Sequence, residues 1–327
     1  MDAVAYALAT NATTYDSLEQ LNVKTVLPAN RYDHAQSTLA DGTALVVGGY
    51  ATYGGSPLTS VVAYSLVTNA WTSKASLATG RATMAQSTLD DGTVLVTAGQ
   101  FGGSFSTNVQ SYNPTTNSWT TKTAIPPNYR FDHAQSTLND GTALVTGGLV
   151  GYAYSADVRS YSRLTNSWTA KASLPATRSG HGQSTLDDGT ALVTGGRVGG
   201  GTISADVQSY DPSTNSWTTK TAMPVTRRAH GQSTLGNGDV LVAAGDSAGS
   251  KNGVYQYSPV TNSWTTRTSM AVGVQNLGQS TLGDGSALMT GGQISGYTLT
   301  NTVVQFVSAS IEPTAGRAAL LGYLAAT

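Results

Sequence analysis

The feature that most constrains this chain is a unit of sequence that recurs six times. Each copy contains a Gln-Ser-Thr-Leu segment, and its glutamines are Gln36, Gln86, Gln135, Gln183, Gln232 and Gln279. Successive copies lie 50, 49, 48, 49 and 47 residues apart. A period of this length is typical of arrays in which every repeat forms one four-stranded blade. Since one repeat cannot bury its apolar face alone, the six copies must pack against one another.

Turn residues divide each copy into four β-rich runs, strands a to d. In the fourth copy, strand a is HGQSTL and strand b is TALVT, and Asp188 and Gly189 between them predict a two-residue hairpin turn with positive φ at both residues. Strand b is a continuous apolar run that ends in a glycine pair, which predicts a strand covered on both faces. Strand c carries a tyrosine and strand d a tryptophan seven residues later. The pairs are Tyr64 and Trp71, Tyr112 and Trp119, Tyr161 and Trp168, Tyr210 and Trp217, and Tyr257 and Trp264.

The order of these elements resembles the kelch repeat: Arg-x-x-His, an Asp-Gly turn, an apolar run, a glycine pair, tyrosine and tryptophan, over residues 21–307. The resemblance implies an all-β fold, a six-bladed kelch-type β-propeller with four antiparallel strands per blade. The sixth copy stops after strand c, where Phe306 takes the tyrosine position. Residues 21–26 align with strand d of the other copies, and Leu21 takes the tryptophan position. We therefore expect this N-terminal strand to complete blade six and close the ring.

The two ends of the chain fall outside the six copies. Residues 1–20 form an N-terminal extension and residues 308–327 a C-terminal tail, with the propeller between them. The extension resembles strands c and d, with Tyr6 in the tyrosine position, so a seven-bladed ring is the alternative. In the tail, residues 317–326 predict a short helix that needs a surface to pack against. That surface is either its own propeller or a partner subunit.

Charge and composition limit the possible partners. Lys and Arg number 17 against 18 Asp and Glu, and only 11% of residues are charged, so no basic surface is predicted for nucleic acid. No apolar run reaches the length of a membrane span, so no membrane insertion is expected. The absence of cysteine excludes thiolate metal sites and a cysteine nucleophile. The compartment is not determined, although composition favours an extracellular, surface or virion setting over a cytoplasmic one.

The candidate binding residues lie in the connections from strand b to c and from d to a, which share one face of a meander. These connections vary between copies and combine aromatic residues with glycine and serine. The candidates are Tyr32, Tyr50, Tyr53, Phe101, Phe105, Phe131, Tyr152, Tyr154, Arg228 and Tyr297. Because tyrosine offers a large contact area with few torsions to freeze, this mixture favours recognition of a protein or glycan surface. The alternative is that these rings pack over their own loops.

Four histidines raise the question of a metal site. They occupy one position of strand a, which should line the central channel, and they are His34, His133, His181 and His230. Met84 and Leu277 take this position in the other two copies. We therefore favour a structural hydrogen bond for the histidines and expect neither a metal nor another cofactor.

Asp33 and Asp132 are the best candidates for catalysis, since they break the repeat pattern at a position where the other copies carry Thr83, Gly180, Ala229 and Asn276. Because they belong to blades one and three, we expect them to be solvated and too far apart to act together. Kelch-like enzymes that resemble galactose oxidase need a cysteine-linked tyrosine, which this chain lacks. The sequence thus predicts a binding module that is not an enzyme. The alternatives are a structural or host-recognition component of a phage virion or bacterial surface, assembled through residues 1–20 and 308–327, and a carbohydrate-active enzyme that uses Asp33 or Asp132.

Overall fold

The computed structural model describes residues 19–127, 129–247, 251–294 and 297–308, and it is built from antiparallel β-strands with one short 3-10 turn at Gly199–Gly201. Six sheets of four strands each follow one another along the chain. The predicted all-β propeller class is confirmed. The possible seventh repeat around Tyr6 and the predicted helix at residues 317–326 lie outside the described residues.

Each sheet is a blade with strands a to d. Strands a are Ala35–Thr38, Ala85–Thr88, Ala134–Thr137, Gly182–Thr185, Gly231–Thr234 and Gly278–Thr281. Strands b are Ala44–Val47, Val94–Thr97, Ala143–Thr146, Ala191–Thr194, Val240–Ala243 and Ala287–Thr290. Strands c are Val61–Ser65, Val109–Asn113, Val158–Ser162, Val207–Asp211, Val254–Ser258 and Val303–Val307. Strands d are Ala70–Lys74, Ser118–Lys122, Ser167–Ala170, Ser216–Lys220, Ser263–Arg267 and, for blade six, Gln20–Val23.

Short two-residue strands lie in the connections between these elements. They are Gln100–Phe101, Ser104–Phe105, Arg130–Phe131, Leu149–Val150, Ala153–Tyr154, Arg178–Ser179 and Arg197–Val198. They belong to the b-to-c and d-to-a connections, and they therefore order the loops that carry the predicted binding residues.

The core lies between neighbouring blades. Every residue of the six strands b is buried, as the continuous apolar runs predict. Between blades six and one, for example, Leu288 and Val303 pack with Val46 and Tyr64. Strand d, in contrast, alternates between half-buried and exposed residues, because only one of its faces meets a neighbour.

The recurring tyrosine and tryptophan join neighbouring blades at their outer edges. The Trp71 indole Nε1 donates to the backbone oxygen of Thr25 at 2.9 Å. The Asn69 side-chain oxygen accepts from the Thr25 amide at 3.1 Å and from the Tyr64 hydroxyl at 2.9 Å. The other tryptophan blades repeat these contacts. In blade six, where Leu21 replaces tryptophan, the Glu19 carboxylate accepts from the Thr268 amide at 2.6 Å instead.

Blade six is completed by the start of the described chain. Gln20–Val23 pairs antiparallel with Val303–Val307, and Leu21 lies opposite Phe306. Strand a of blade one also contacts strand a of blade six, because the Gln36 side-chain amide donates to the Ser280 hydroxyl at 3.0 Å. First and last blades are therefore neighbours, so no sheet edge is left open between them.

The turn between strands a and b differs from its prediction. In the fourth copy Gly189 has a φ of 84°, while Asp188 is not among the residues of positive φ, so the two-residue turn with positive φ at both residues was wrong. The Leu186 amide donates to the Thr190 oxygen at 2.8 Å, which closes a three-residue loop with glycine in the left-handed position. The Asp188 carboxylate accepts from the Thr190 amide at 2.9 Å, and this bond selects the aspartate.

Candidate functional site

The propeller has two faces of different character. The turn face carries the short a-to-b and c-to-d turns. The loop face carries the b-to-c and d-to-a connections, and with them all ten predicted binding residues. The six strands a surround a channel that runs between the two faces, since cavities at both ends and in the middle are lined by them.

At the loop face, the channel mouth is framed by one residue from each blade, which we call the mouth ring. Its members, with their φ angles, are Asp33 (54°), Thr83 (52°), Asp132 (52°), Gly180 (59°), Ala229 (51°) and Asn276 (56°). Each backbone amide donates to the backbone oxygen of the member in the preceding blade, over 2.7 to 3.1 Å. The bond from Asp33 to Asn276, at 3.1 Å, closes the cycle. Left-handed backbone at all six positions is what allows this continuous ring of hydrogen bonds.

A cavity of ≈ 190 Å³ occupies the mouth. Asp33 and Asp132 line it together with Arg197, Arg228 and Tyr154. Arg228 is paired with Asp246 at 2.7 Å, and no described residue lies within ion-pair distance of Arg197. The mouth therefore combines two acids, two guanidinium groups and a phenol.

Asp33 and Asp132 are half-buried and line one cavity although their blades are not adjacent, and the charge of Asp132 acts on the Asp33 carboxyl. Burial raises the pKa of the Asp33 carboxyl well above its usual range, the charge of Asp132 raises it further, and Arg228 opposes both effects. Burial raises the pKa of Asp132 to about 6, against the opposing charges of Arg228 and Arg197. The channel is narrow enough for residues of blades one and three to line one cavity.

Beneath the mouth, the four channel histidines are held by threonines of the preceding blades. The bonds from histidine Nε2 to threonine Oγ1 measure 2.8 to 2.9 Å and join His34 to Thr290, His133 to Thr97, His181 to Thr146 and His230 to Thr194. Burial lowers the pKa of His34, His133 and His230 to about 3 and that of His181 well below its usual value, so all four are neutral at pH 7.

The tautomer of each histidine follows from a third partner, a glutamine. The Gln183 side-chain nitrogen donates to the Ser136 hydroxyl at 2.9 Å, so its oxygen is left to accept from the Thr146 hydroxyl at 2.5 Å. Because the single hydroxyl proton of Thr146 is donated to Gln183, the Nε2–H of His181 must be the donor in its bond to the Thr146 oxygen. The same Thr–His–Gln relay recurs in the other three histidine sites.

The two blades without histidine explain this design. In blade two Met84 faces Val47 of blade one, and in blade six Leu277 faces Ala243 of blade five, so the histidine is absent where the threonine is absent. The side-chain oxygens of Gln86 and Gln279 are buried there without a hydrogen-bond partner among the described residues. Histidine therefore occurs at this position only where the preceding blade supplies a threonine as its hydrogen-bond partner. Within the described part of the chain, no group of three His, Asp or Glu side chains is arranged to hold a metal ion.

The predicted aromatic residues divide into exposed and supporting rings. Tyr32 is buried and contacts half-buried Tyr50, with ring centroids 5.3 Å apart. Tyr53 and Tyr297 come from the loops of blades one and six, and their centroids lie 4.2 Å apart. Both remain exposed, at 56% and 71% of their surface.

A second aromatic group lies over blades two and three. Phe105 stacks on buried Phe131 at 4.5 Å and on Tyr129 at 5.1 Å, and it meets Tyr152 edge-on at 4.9 Å. Tyr152 is 68% exposed. Phe101 is half-buried beside this group, in a strand pair with Ser104 and Phe105. Packing of rings over loops, the alternative to binding, thus describes Tyr32, Phe105 and Phe131 but not Tyr53, Tyr152 and Tyr297.

Comparisons with known proteins agree with this architecture. The family described as "Attractin/LZTR1 beta-propeller" matches residues 2–247. A solved structure titled "Structure of YjhT" is similar with a TM-score of 0.73 at 17% identity, over 86% of this chain and 96% of that chain. At this identity the likeness concerns the fold alone. No curated protein matches the sequence. Among the described residues, no helix is long and apolar enough to span a membrane.

Proposed function

The chain belongs to the Attractin/LZTR1 β-propeller family, and we propose that it is a non-enzymatic interaction module that binds a partner protein through its loop face. The fold supports an interaction role, since a rigid ring presents variable loops side by side. The same tyrosines suit a glycan, which is the alternative ligand of this face.

One observation carries the proposal: Tyr53, Tyr152 and Tyr297 expose 56%, 68% and 71% of their surface on the same face. Apolar surface gathered on one face marks an interaction site, and tyrosine is among the residues enriched in binding hot spots. Buried neighbours such as Phe131 hold these loops in place, so little ordering is needed on binding.

The channel groups support a role without catalysis. The histidines are neutral and bound through Nε2 to threonines, and the five repeated arginines are buried. Asp33 and Asp132 remain as acids beside a cavity, and they would contact a partner segment that enters the mouth.

A second role, as a component of a larger assembly, is favoured by the turn face. Val67, Leu164 and Val260 are 97%, 81% and 94% exposed. They occupy equivalent c-to-d turns of blades one, three and five, and polar Thr115 and Ser213 take this place in blades two and four. An aliphatic side chain on every second blade suits contact with a repeated subunit.

Two matched variants separate these roles. The first variant combines three substitutions on the loop face, Tyr53→Ala, Tyr152→Ala and Tyr297→Ala. The second combines three on the turn face, Val67→Thr, Leu164→Thr and Val260→Thr. Each is used with the wild type to capture partners from the source cells and to probe a glycan array. Loss of a captured protein with the first variant only is the expected result. Equal capture by all three proteins, or loss with the turn-face variant only, would contradict the loop-face proposal, and glycan binding lost with the first variant would favour the alternative ligand.

A further inference from the structure

The mouth cavity is lined by charged side chains that break the repeat pattern. Asp33 and Asp132 belong to blades one and three of the mouth ring, and the other four members of the ring are uncharged. Arg197 follows the glycine pair of blade four, and Arg228 directly precedes the mouth ring in blade five. All four side chains line the same cavity. Because a repeated scaffold needs the same residue in every blade, charges that depart from the repeat indicate a site for a ligand.

These charges face one cavity without pairing across it. The charges of Arg228 and Arg197 act on the Asp132 carboxyl. Neither Asp132 nor Asp33 forms an ion pair or a side-chain hydrogen bond within the described part of the chain. The Nε atom of Arg197 is buried without a hydrogen-bond partner among the described residues. Since charges removed from water are normally paired, this arrangement leaves acidic and basic groups available to a ligand.

The two signs of charge come from different parts of the ring. The acids belong to blades one and three, and the guanidinium groups to the neighbouring blades four and five. Arg228 is already paired with Asp246 at 2.7 Å, so Arg197 is the group left to meet an anion. A ligand of complementary charge therefore carries a cation at one end and an anion at the other.

We propose that the mouth cavity binds a small zwitterion, a molecule that presents an ammonium group to Asp33 and Asp132 and a carboxylate to Arg197. An ammonium group donates hydrogen bonds to carboxylate oxygens. The planar guanidinium of arginine suits a carboxylate because it donates two parallel N–H bonds. Charge-assisted hydrogen bonds of this kind are about twice as strong as neutral ones.

The volume of the cavity limits the size of the ligand. At about 30 Å³ for each water displaced, ≈ 190 Å³ corresponds to a ligand of roughly six or seven non-hydrogen atoms. Alanine and 4-aminobutanoate are zwitterions of this size. Met84, Leu149 and Leu277 also line the cavity and offer apolar contacts to the carbon atoms of such a ligand.

The site is separate from the exposed tyrosines of the loop face. Tyr53, Tyr152 and Tyr297 are not among the described residues that line the cavity. A partner segment that enters the mouth would have to present the same two charges, whereas a free zwitterion needs no partner. Binding of the free molecule therefore tests this site independently of the proposed function.

Isothermal titration with alanine and with 4-aminobutanoate tests the proposal. Three control molecules each lack part of the required chemistry: propionate has no ammonium group, propylamine has no carboxylate, and methyl glucoside has no charge. We expect saturable binding of at least one zwitterion, at least tenfold tighter than that of any control molecule.

Residues that the repeat itself uses provide the variants. Glutamine takes the position of Arg197 in blade six, as Gln293, and asparagine takes that of Asp132 in blade six, as Asn276. Arg197→Gln and Asp132→Asn should each weaken zwitterion binding at least tenfold. Arg163→Gln makes the same change of charge on the turn face and should leave binding unchanged. Thermal unfolding of each variant checks that the propeller is intact.

No binding of either zwitterion up to millimolar concentration would overturn the proposal. Equally tight binding of a control molecule, or zwitterion binding that Arg197→Gln and Asp132→Asn leave unchanged, would overturn it as well. Zwitterion binding without capture of a partner protein would refute the proposed function alone. Capture of a partner through the loop-face tyrosines without zwitterion binding would refute this site alone.

Discussion

Thr146→Val tests the Thr–His–Gln relay that joins neighbouring blades inside the channel. Valine has nearly the shape of threonine but neither donates nor accepts a hydrogen bond. The substitution leaves two buried polar groups without partners, the side-chain oxygen of Gln183 and the Nε2–H of His181. Since each such group costs about 1–3 kcal/mol, the free energy of unfolding should fall by about 2–6 kcal/mol.

The chain itself supplies the control. Val47 and Met84 form the natural pair that lacks the relay, so Thr146→Val with His181→Met recreates the contact between blades one and two. Only the Gln183 oxygen then stays unpaired, as the Gln86 oxygen does in the wild type. The double variant should lose only about 1–3 kcal/mol, less than Thr146→Val alone.

Urea unfolding of the wild type, both single variants and the double variant gives the coupling energy between positions 146 and 181. We expect about 1–2 kcal/mol of coupling. If the two substitutions are additive, or if Thr146→Val costs less than about 0.5 kcal/mol, the relay does not stabilise the channel and the reasoning is refuted.

Three further predictions concern pH and backbone strain. Because the pKa values of the channel histidines are lowered, to about 3 in three of them, the unfolded chain binds protons that the folded chain does not. In urea titrations, the contribution of these histidines to the free energy of unfolding should be fully present above pH 6.5. It should decrease as the pH falls towards 3, by up to ~1.4 kcal/mol per pH unit for each histidine. A free energy of unfolding that does not change over this range would contradict the prediction. The raised pKa of Asp132, about 6, works oppositely: its contribution is present at pH 4 and lost as the pH rises through 6. Asp132→Asn should therefore stabilise the protein at pH 8 by roughly 2–3 kcal/mol and change little at pH 4, whereas an equal effect at both values would exclude the ionisation as the cause. Thr83→Asn should raise the free energy of unfolding by about 1 kcal/mol, since a β-branched residue is strained at its φ of 52°; unchanged or lower stability would show that no strain is stored there.

Much of the fold was predictable because the same constraints act six times. The recurring Tyr64 and Trp71 pattern predicts strands c and d, and in the structure these residues face each other across the two strands. The alignment of Leu21 with tryptophan similarly predicts its place opposite Phe306. Six copies with the same pattern identify the strands and turns more reliably than a single copy could.

Features that depend on neighbouring blades were harder to predict. Asp33 and Asp132 share a cavity because of the width of the channel, which no local pattern records. The exposure of Tyr53 and the burial of Tyr32 likewise depend on which loop lies beside each ring. The sequence does carry one signal of the relay: Met84 replaces histidine where Val47 replaces threonine in the preceding copy.

The N-terminal strand completes the last blade, and this closure brings the loops of blades one and six together on one face. Amide hydrogen exchange of a peptide covering Gln20–Val23 tests it directly. We predict exchange as slow as in the outer strand Ser118–Lys122, which pairs with its own blade in the same way. Exchange of Gln20–Val23 at the rate of an unpaired chain, while Ser118–Lys122 stays protected, would contradict the closed ring.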